Sequence, residues 1–185
     1  MRKTVQRLVA ATAIAAVAVL AVSSIAGASV QPSGKARGAT TVTLNQDTIG
    51  AVVGLGLTPA PITPGVLGMD GDALKASFPI VGNLKGGIIK HTGGLSLSAG
   101  GTTLTLTNYF IDTNEGVLTA MAAVNGDEVG RLPLFDLGGA PAQDGCAGTA
   151  SLSLSGDAAD ALTMVFGAPD LTGADFGIAC VAPRG

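Results

Sequence analysis

Leu95-Ser96-Leu97-Ser98-Ala99-Gly100-Gly101-Thr102-Thr103-Leu104-Thr105-Leu106-Thr107 decides how this chain folds. Leucines 95, 97, 104 and 106 recur at every second position, the period of a half-buried strand. Threonines 103, 105 and 107 line the opposite face. Gly100-Gly101 between the two runs is a hairpin turn, since glycine reaches the positive φ that tight turns require.

The same alternation extends outward in both directions. Downstream, Asn108–Ile111 continues the strand, Asn114-Glu115-Gly116 turns, and Leu118, Ala120, Ala122 and Val124 alternate again. Asn125-Gly126-Asp127 turns into a strand near 129–135. Residues 137–150 read as a Gly- and Ala-rich loop held at Cys146, and 176–181 as a last strand through Cys180. Upstream, 86–91 reads as a strand. Ala76–Ile80 reads as an edge strand, because Pro79 cannot donate to a ladder. Pro59, Pro61 and Pro64 favour an extended, turning segment.

Two stretches break the β pattern in the same way. Thr41–Leu44 alternates and is followed by Asn45 or Asp47 as a helix cap, with Ile49, Val52 and Val53 on one face of a helix over about 47–54. Ser151–Leu154 alternates likewise, and Ser155 or Asp157 caps a helix to about Phe166, striped by Ala158, Ala161, Leu162 and Val165. Asp47 and Asp157 occupy matching positions 110 residues apart. Two units are too few for a solenoid, so they imply pseudo-symmetric closure of one domain. With 28 glycines, nine prolines and many short strands, the expected class is mainly β: a β-sandwich or open barrel with two short peripheral helices.

The first 28 residues carry a basic head (Arg2, Lys3, Arg7), an apolar run from Leu8 to Val22, and Ala26-Gly27-Ala28 as a cleavage site. This is the pattern of a secretory signal peptide. The run is too short to span roughly 30 Å of hydrocarbon as a permanent helix, so no mature transmembrane segment is expected. Residues 29–38 are small, polar and basic and are expected to form a flexible tail, leaving 39–185 as a single β-rich domain. Cleavage leaves seven of the ten cations against all thirteen acids, moving the formal charge from −3 to −6. Such a surface is wrong for nucleic acid, whose non-specific binding neutralises phosphates with Lys and Arg. Cys146 and Cys180 are the only cysteines. In an oxidising compartment they are expected to form one disulfide, worth roughly 3–4 kcal/mol in the unfolded-state entropy account. The expected location is secreted, either extracellular or loosely wall-associated, with a cell-wall or extracellular protein as partner.

Reaction chemistry has little material. His91 is the only histidine and Tyr109 the only tyrosine. No Gly-x-Ser-x-Gly elbow accompanies His91, which counts against a secreted hydrolase. The carboxylate pairs Asp70/Asp72, Asp112/Glu115 and Asp127/Glu128 lie beside Gly or Asn in turns, where solvation explains them. No metal site is expected, because the two cysteines have no histidine near them and no Asp-rich EF-hand loop occurs. His91, set between Ile88-Ile89-Lys90 and Thr92-Gly93-Gly94, reads first as a residue fixing a tight turn. His91 and Tyr109 are nevertheless the candidate ligand-binding residues.

Gly86-Gly87-Ile88-Ile89-Lys90-His91-Thr92-Gly93-Gly94-Leu95, followed by Leu104–Asn108 and Gly116–Ala120, resembles the middle of HtaA-type domains. These are secreted or wall-linked actinobacterial β-rich modules, some of which bind haem. Phe78 would correspond to the aromatic that often precedes this region. The resemblance implies that His91 matches the histidine supporting the family's haem-ligating tyrosine. The tyrosine itself has no counterpart, since residues 39–57 hold neither tyrosine nor tryptophan. The sequence therefore points to a non-catalytic structural or interaction domain of the cell envelope and to no cofactor. Binding of haem or another small hydrophobic ligand is the chief alternative. An apolar pocket reached by both His91 and Tyr109 would favour the ligand; a closed core beneath a flat exposed face would favour interaction.

Overall fold

A computed structural model describes residues 37–82 and 84–184. The leader 1–28 and residues 29–36 of the expected tail lie outside them. The elements run β1 (Gly38–Leu44), α1 (Gln46–Gly54), β2 (Thr58–Ile62), β3 (Val66–Asp70), β4 (Ala73–Val81), β5 (Ile88–His91) and β6 (Gly94–Ala99). They continue with β7 (Thr102–Asp112), β8 (Val117–Val124), β9 (Asp127–Gly139), β10 (Gly148–Leu154), α2 (Gly156–Phe166) and β11 (Asp175–Pro183). The mainly β class with two short helices is as expected.

All strands join one antiparallel sheet, and eight of them close a ring: β7, β8, β9, β10, β11, β1, β4, β5 and back to β7. Closure removes the unpaired edges that an open sheet would expose. The weakest seam is β4–β5, registered only at Ile80↔His91 and Val81↔Lys90. Beyond that seam the wall splays. There β4 pairs instead with β3, while β7 pairs with β6, which in turn carries β2. The splayed end is the one that bears both helices, because β1 and β10 each run into their helix there and flank β11.

Pro79 illustrates how correct chemistry led to a wrong position. It lies in an interior strand, not an edge, paired with Ala39 of β1. Its missing N–H falls in the gap where β4 changes its second neighbour, between β3, paired through Ser77, and β5, paired from Ile80. The Pro79 carbonyl still accepts the Thr92 N–H at 3.1 Å. The proline-rich segment contributes β2, an outer strand on β6 where absent donors leave no ladder partner unsatisfied. The 137–150 stretch is shorter as a loop than expected, because β9 persists to Gly139 and β10 starts at Gly148.

Within β7, Leu104 is buried at an even position but Tyr109 and Ile111 at odd ones. The register against β8 shifts between Thr107 and Phe110, and Asn108 adopts φ 52°. Asn108 is thus an extra residue, and such a bulge reverses which side chains point inward. It places Tyr109 in the barrel interior. Gly93 makes the turn between β5 and β6 at φ +82°, and a Cβ added there would collide with the Gly65 backbone. Cys146 and Cys180 are bonded, Cα atoms 5.4 Å apart, tying the β9–β10 loop to β11.

Candidate functional site

A cavity of about 490 Å³ fills the splayed end beneath α1. That is within the usual range for small-molecule sites, roughly 300–1,000 Å³. Its walls are almost wholly hydrocarbon. Leu95 and Leu97 come from β6, Leu67 from β3, Leu106 from β7 and Leu132 from β9, with Ile49 and Val52 of α1 above them. The leucines that specify the β6–β7 hairpin therefore also build the cavity. Leu67 and Leu74 are lining residues that the sequence reading passed over, and Pro59, read there only as part of an extended, turning segment, lines the cavity too. Their signal is faint, because the prolines and glycines between residues 59 and 71 interrupt any alternation.

Both candidate residues line this cavity. His91 is 3% exposed. Its Nδ1 lies 3.1 Å from the Tyr109 carbonyl and its Nε2 2.7 Å from the Thr40 hydroxyl. A carbonyl can only accept, so Nδ1 carries the proton and donates. Nε2 is then an acceptor and the Thr40 hydroxyl donates to it. Burial lowers the imidazole from its ordinary value near 6.5 to about 4, opposed by the bond to Tyr109, so His91 is neutral at pH 7. The ring thereby ties β5 to β7 and to β1 beside the two-pair seam. Turn-fixing describes only part of this role, since the ring braces three strands.

Tyr109 packs its ring on Phe78, centroids 4.7 Å apart. Burial pushes its phenol far above the usual tyrosine range, with a smaller opposing effect from the Leu95 backbone, so it stays protonated. Among the described residues, no buried side-chain nitrogen or oxygen lacks a hydrogen-bond partner. Nor do three or more His, Cys, Asp or Glu side chains gather as a metal site among them.

The lining residues that reach solvent at the mouth are Asp47, Ala51, Val53, Ala174 and Asp175, so its charged groups are both acidic. Asn45 caps α1, its side-chain oxygen accepting the Asp47 N–H at 2.9 Å, while its amide donates to Asp175 at 2.9 Å. Thr48 donates to the Asp175 carbonyl at 2.7 Å. The described cations lie elsewhere. Lys90 and Arg131 both sit over Phe110, a ring on the outer side of β7, and Lys75 pairs with Asp70.

Neither a family model nor a curated protein matches this chain. The fold is similar to the crystal structure of the C-terminal domain of HtaA from Corynebacterium glutamicum. The TM-score is 0.49 at 16% identity, over 77% of this chain and 93% of that one. It is a distant likeness of architecture.

Haem, which the HtaA-type pattern implies, does not fit the residues of this cavity. Iron is held in proteins by a deprotonated tyrosine or by a free imidazole or sulfur lone pair. Here the Nε2 lone pair of His91 is taken by Thr40, the lining holds no cysteine or methionine, and the family's ligating tyrosine has no counterpart in residues 39–57. Among the described residues, no lysine or arginine lines the walls to meet the carboxylates of the porphyrin. Among the described residues, no helix is long and apolar enough to cross a membrane.

Proposed function

We propose that this protein is an exported, non-catalytic carrier of a small hydrophobic ligand, held in the splayed end of the barrel. This takes up the ligand-binding alternative to the structural or interaction role, which a pocket reached by both His91 and Tyr109 favours. The observation that carries it is the cavity itself: about 490 Å³ of leucine-lined space, reached by both His91 and Tyr109. Of its buried polar side chains, His91 and Thr40 are spent on each other and Tyr109 is uncharged, leaving hydrocarbon burial as the driving force. The Cys146–Cys180 bond supports a protein built for an oxidising compartment.

Titration with the neutral fluorophore N-phenyl-1-naphthylamine, followed by displacement with straight-chain alcohols, tests the reading. Each buried methylene contributes about 0.8 kcal/mol, so affinity should rise about fourfold per added methylene until the cavity is full. Leu97→Trp, placing a bulky ring in the space, should abolish probe binding while leaving the thermal midpoint near that of the parent. Saturable binding that ignores Leu97→Trp, or no binding at all, would discard the carrier reading.

A further inference from the structure

We infer that the cavity selects against anions, so that its ligand is an apolar chain or ring system with an uncharged or cationic head and not a carboxylate or an iron porphyrin. The inference rests on the carrier reading above and adds the ligand's chemical class.

Three observations converge on it. Inside, an ionised head would find no opposite charge, because Thr40, neutral His91 and Tyr109 are the buried polar side chains of the lining and the first two already satisfy one another. Burying an unpaired charge is prohibitive, so any charged head must stay at the mouth. At the mouth the charged lining groups are Asp47 and Asp175, both carboxylates, with no cation among the lining residues. A helix N-terminus would ordinarily welcome an anion. At α1 that place is filled: the Asn45 side chain takes the Asp47 N–H, and the Asp47 carboxylate stands in the first turn. A neutral or amine head meets acceptors at the rim, whereas a carboxylate head meets like charge.

Decanol, decylamine and decanoate share one chain length and differ only at the head. With the intact mature protein at pH 7 and low salt, each is used to displace N-phenyl-1-naphthylamine, and haemin is titrated separately by its visible spectrum. Decanol and decylamine should compete at similar concentrations, with decanoate weaker by about fivefold and the gap narrowing as salt screens the rim. Haemin should give no stoichiometric Soret change. Asp47→Lys should improve decanoate and weaken decylamine, each by a few-fold. Decanoate competing as well as decanol, an unmoved ranking in Asp47→Lys, or a stoichiometric haemin complex would overturn the selectivity while leaving the carrier reading intact. Failure of the fluorophore and all three chains to bind would overturn both together.

Discussion

The chain builds the same strand–cap–helix unit twice, and the two copies ended differently. In one, β10 passes through the Ser155 cap into α2, whose Ala158 and Ala159 are buried against the barrel. Ser155 also donates to the Pro133 carbonyl at 2.8 Å, fastening the helix start to β9. In the other, β1 passes through the Asn45 cap into α1, which has no buried residue. Val53 on α1 is 69% exposed, and the helix is fastened to the barrel through exposed hydrogen bonds to Asp175 and Asp72. The difference follows from side-chain size and glycine content. At offset 110, Ile49 matches Ala159, and small alanines let α2 settle on the wall. Gly50 and Gly54 weaken α1, each by about 1 kcal/mol relative to alanine. One helix is seated on the barrel and gives Ala158, Ala161 and Leu162 to the cavity wall, while the other roofs that space.

The matched pair Ile49 and Ala159 breaks the comparison most sharply. Ala159→Asp would place a carboxylate without a partner in a site 1% exposed, and should destabilise the fold by about 3 kcal/mol or more in urea titration. Ile49→Asp, on the half-buried face above the cavity, should change stability by less than about 1 kcal/mol yet reduce apolar-ligand affinity. Equal losses of stability at the two positions would show that α1 is packed as α2 is.

A second contrast lies in the strands leading to those helices. Thr40 of β1 grips His91, whereas the residue at offset 110 in β10 is Ala150, which has nothing to offer an imidazole. Unfolding restores an imidazole of about 6.5, while the folded ring protonates near 4. Over that interval the unfolded chain binds the extra proton, so stability is complete above about pH 6.5 and declines as the pH falls. The decline should end near pH 4 after a loss of about 3 kcal/mol. His91→Gln removes this contribution. The difference between parent and variant unfolding free energies from pH 7 to 4 should therefore fall by about that amount, and a flat difference would contradict a neutral buried ring.

Much of the barrel was legible because alternation and turn chemistry are local. The β6–β7 hairpin, both caps and the cysteine pair follow from residues within a few positions of one another, or from a count. What escaped depends on distant neighbours. Pro79 announces a missing donor but not that the vacancy falls between two successive partners of an interior strand. The Asn108 bulge does leave a trace: Leu104 and Leu106 are even, Tyr109 and Ile111 odd, and asparagine tolerates the left-handed backbone. The site was half visible. His91 and Tyr109 stood out by being unique, but the space beside them arises because β3 and β6 leave the ring on diverging paths, and no single segment encodes that divergence.

The smallest effect sharpens the claim that α1 is the looser helix. A Cβ added at Gly50 or Gly54 meets nothing within 4 Å, so alanine there adds helix preference without a clash. The double variant Gly50→Ala, Gly54→Ala should leave the global unfolding free energy within about 0.5 kcal/mol, provided α1 opens before the barrel does. Protection of the α1 amides from hydrogen exchange should nevertheless rise by about fivefold or more, since each glycine replaced contributes up to about 1 kcal/mol to the helix. If ligand enters by displacing α1, association with N-phenyl-1-naphthylamine should slow by a comparable factor while α2 exchange stays unchanged. Unchanged protection in α1 would mean that its opening is tied to the barrel, and the two copies of the unit would then differ in shape alone.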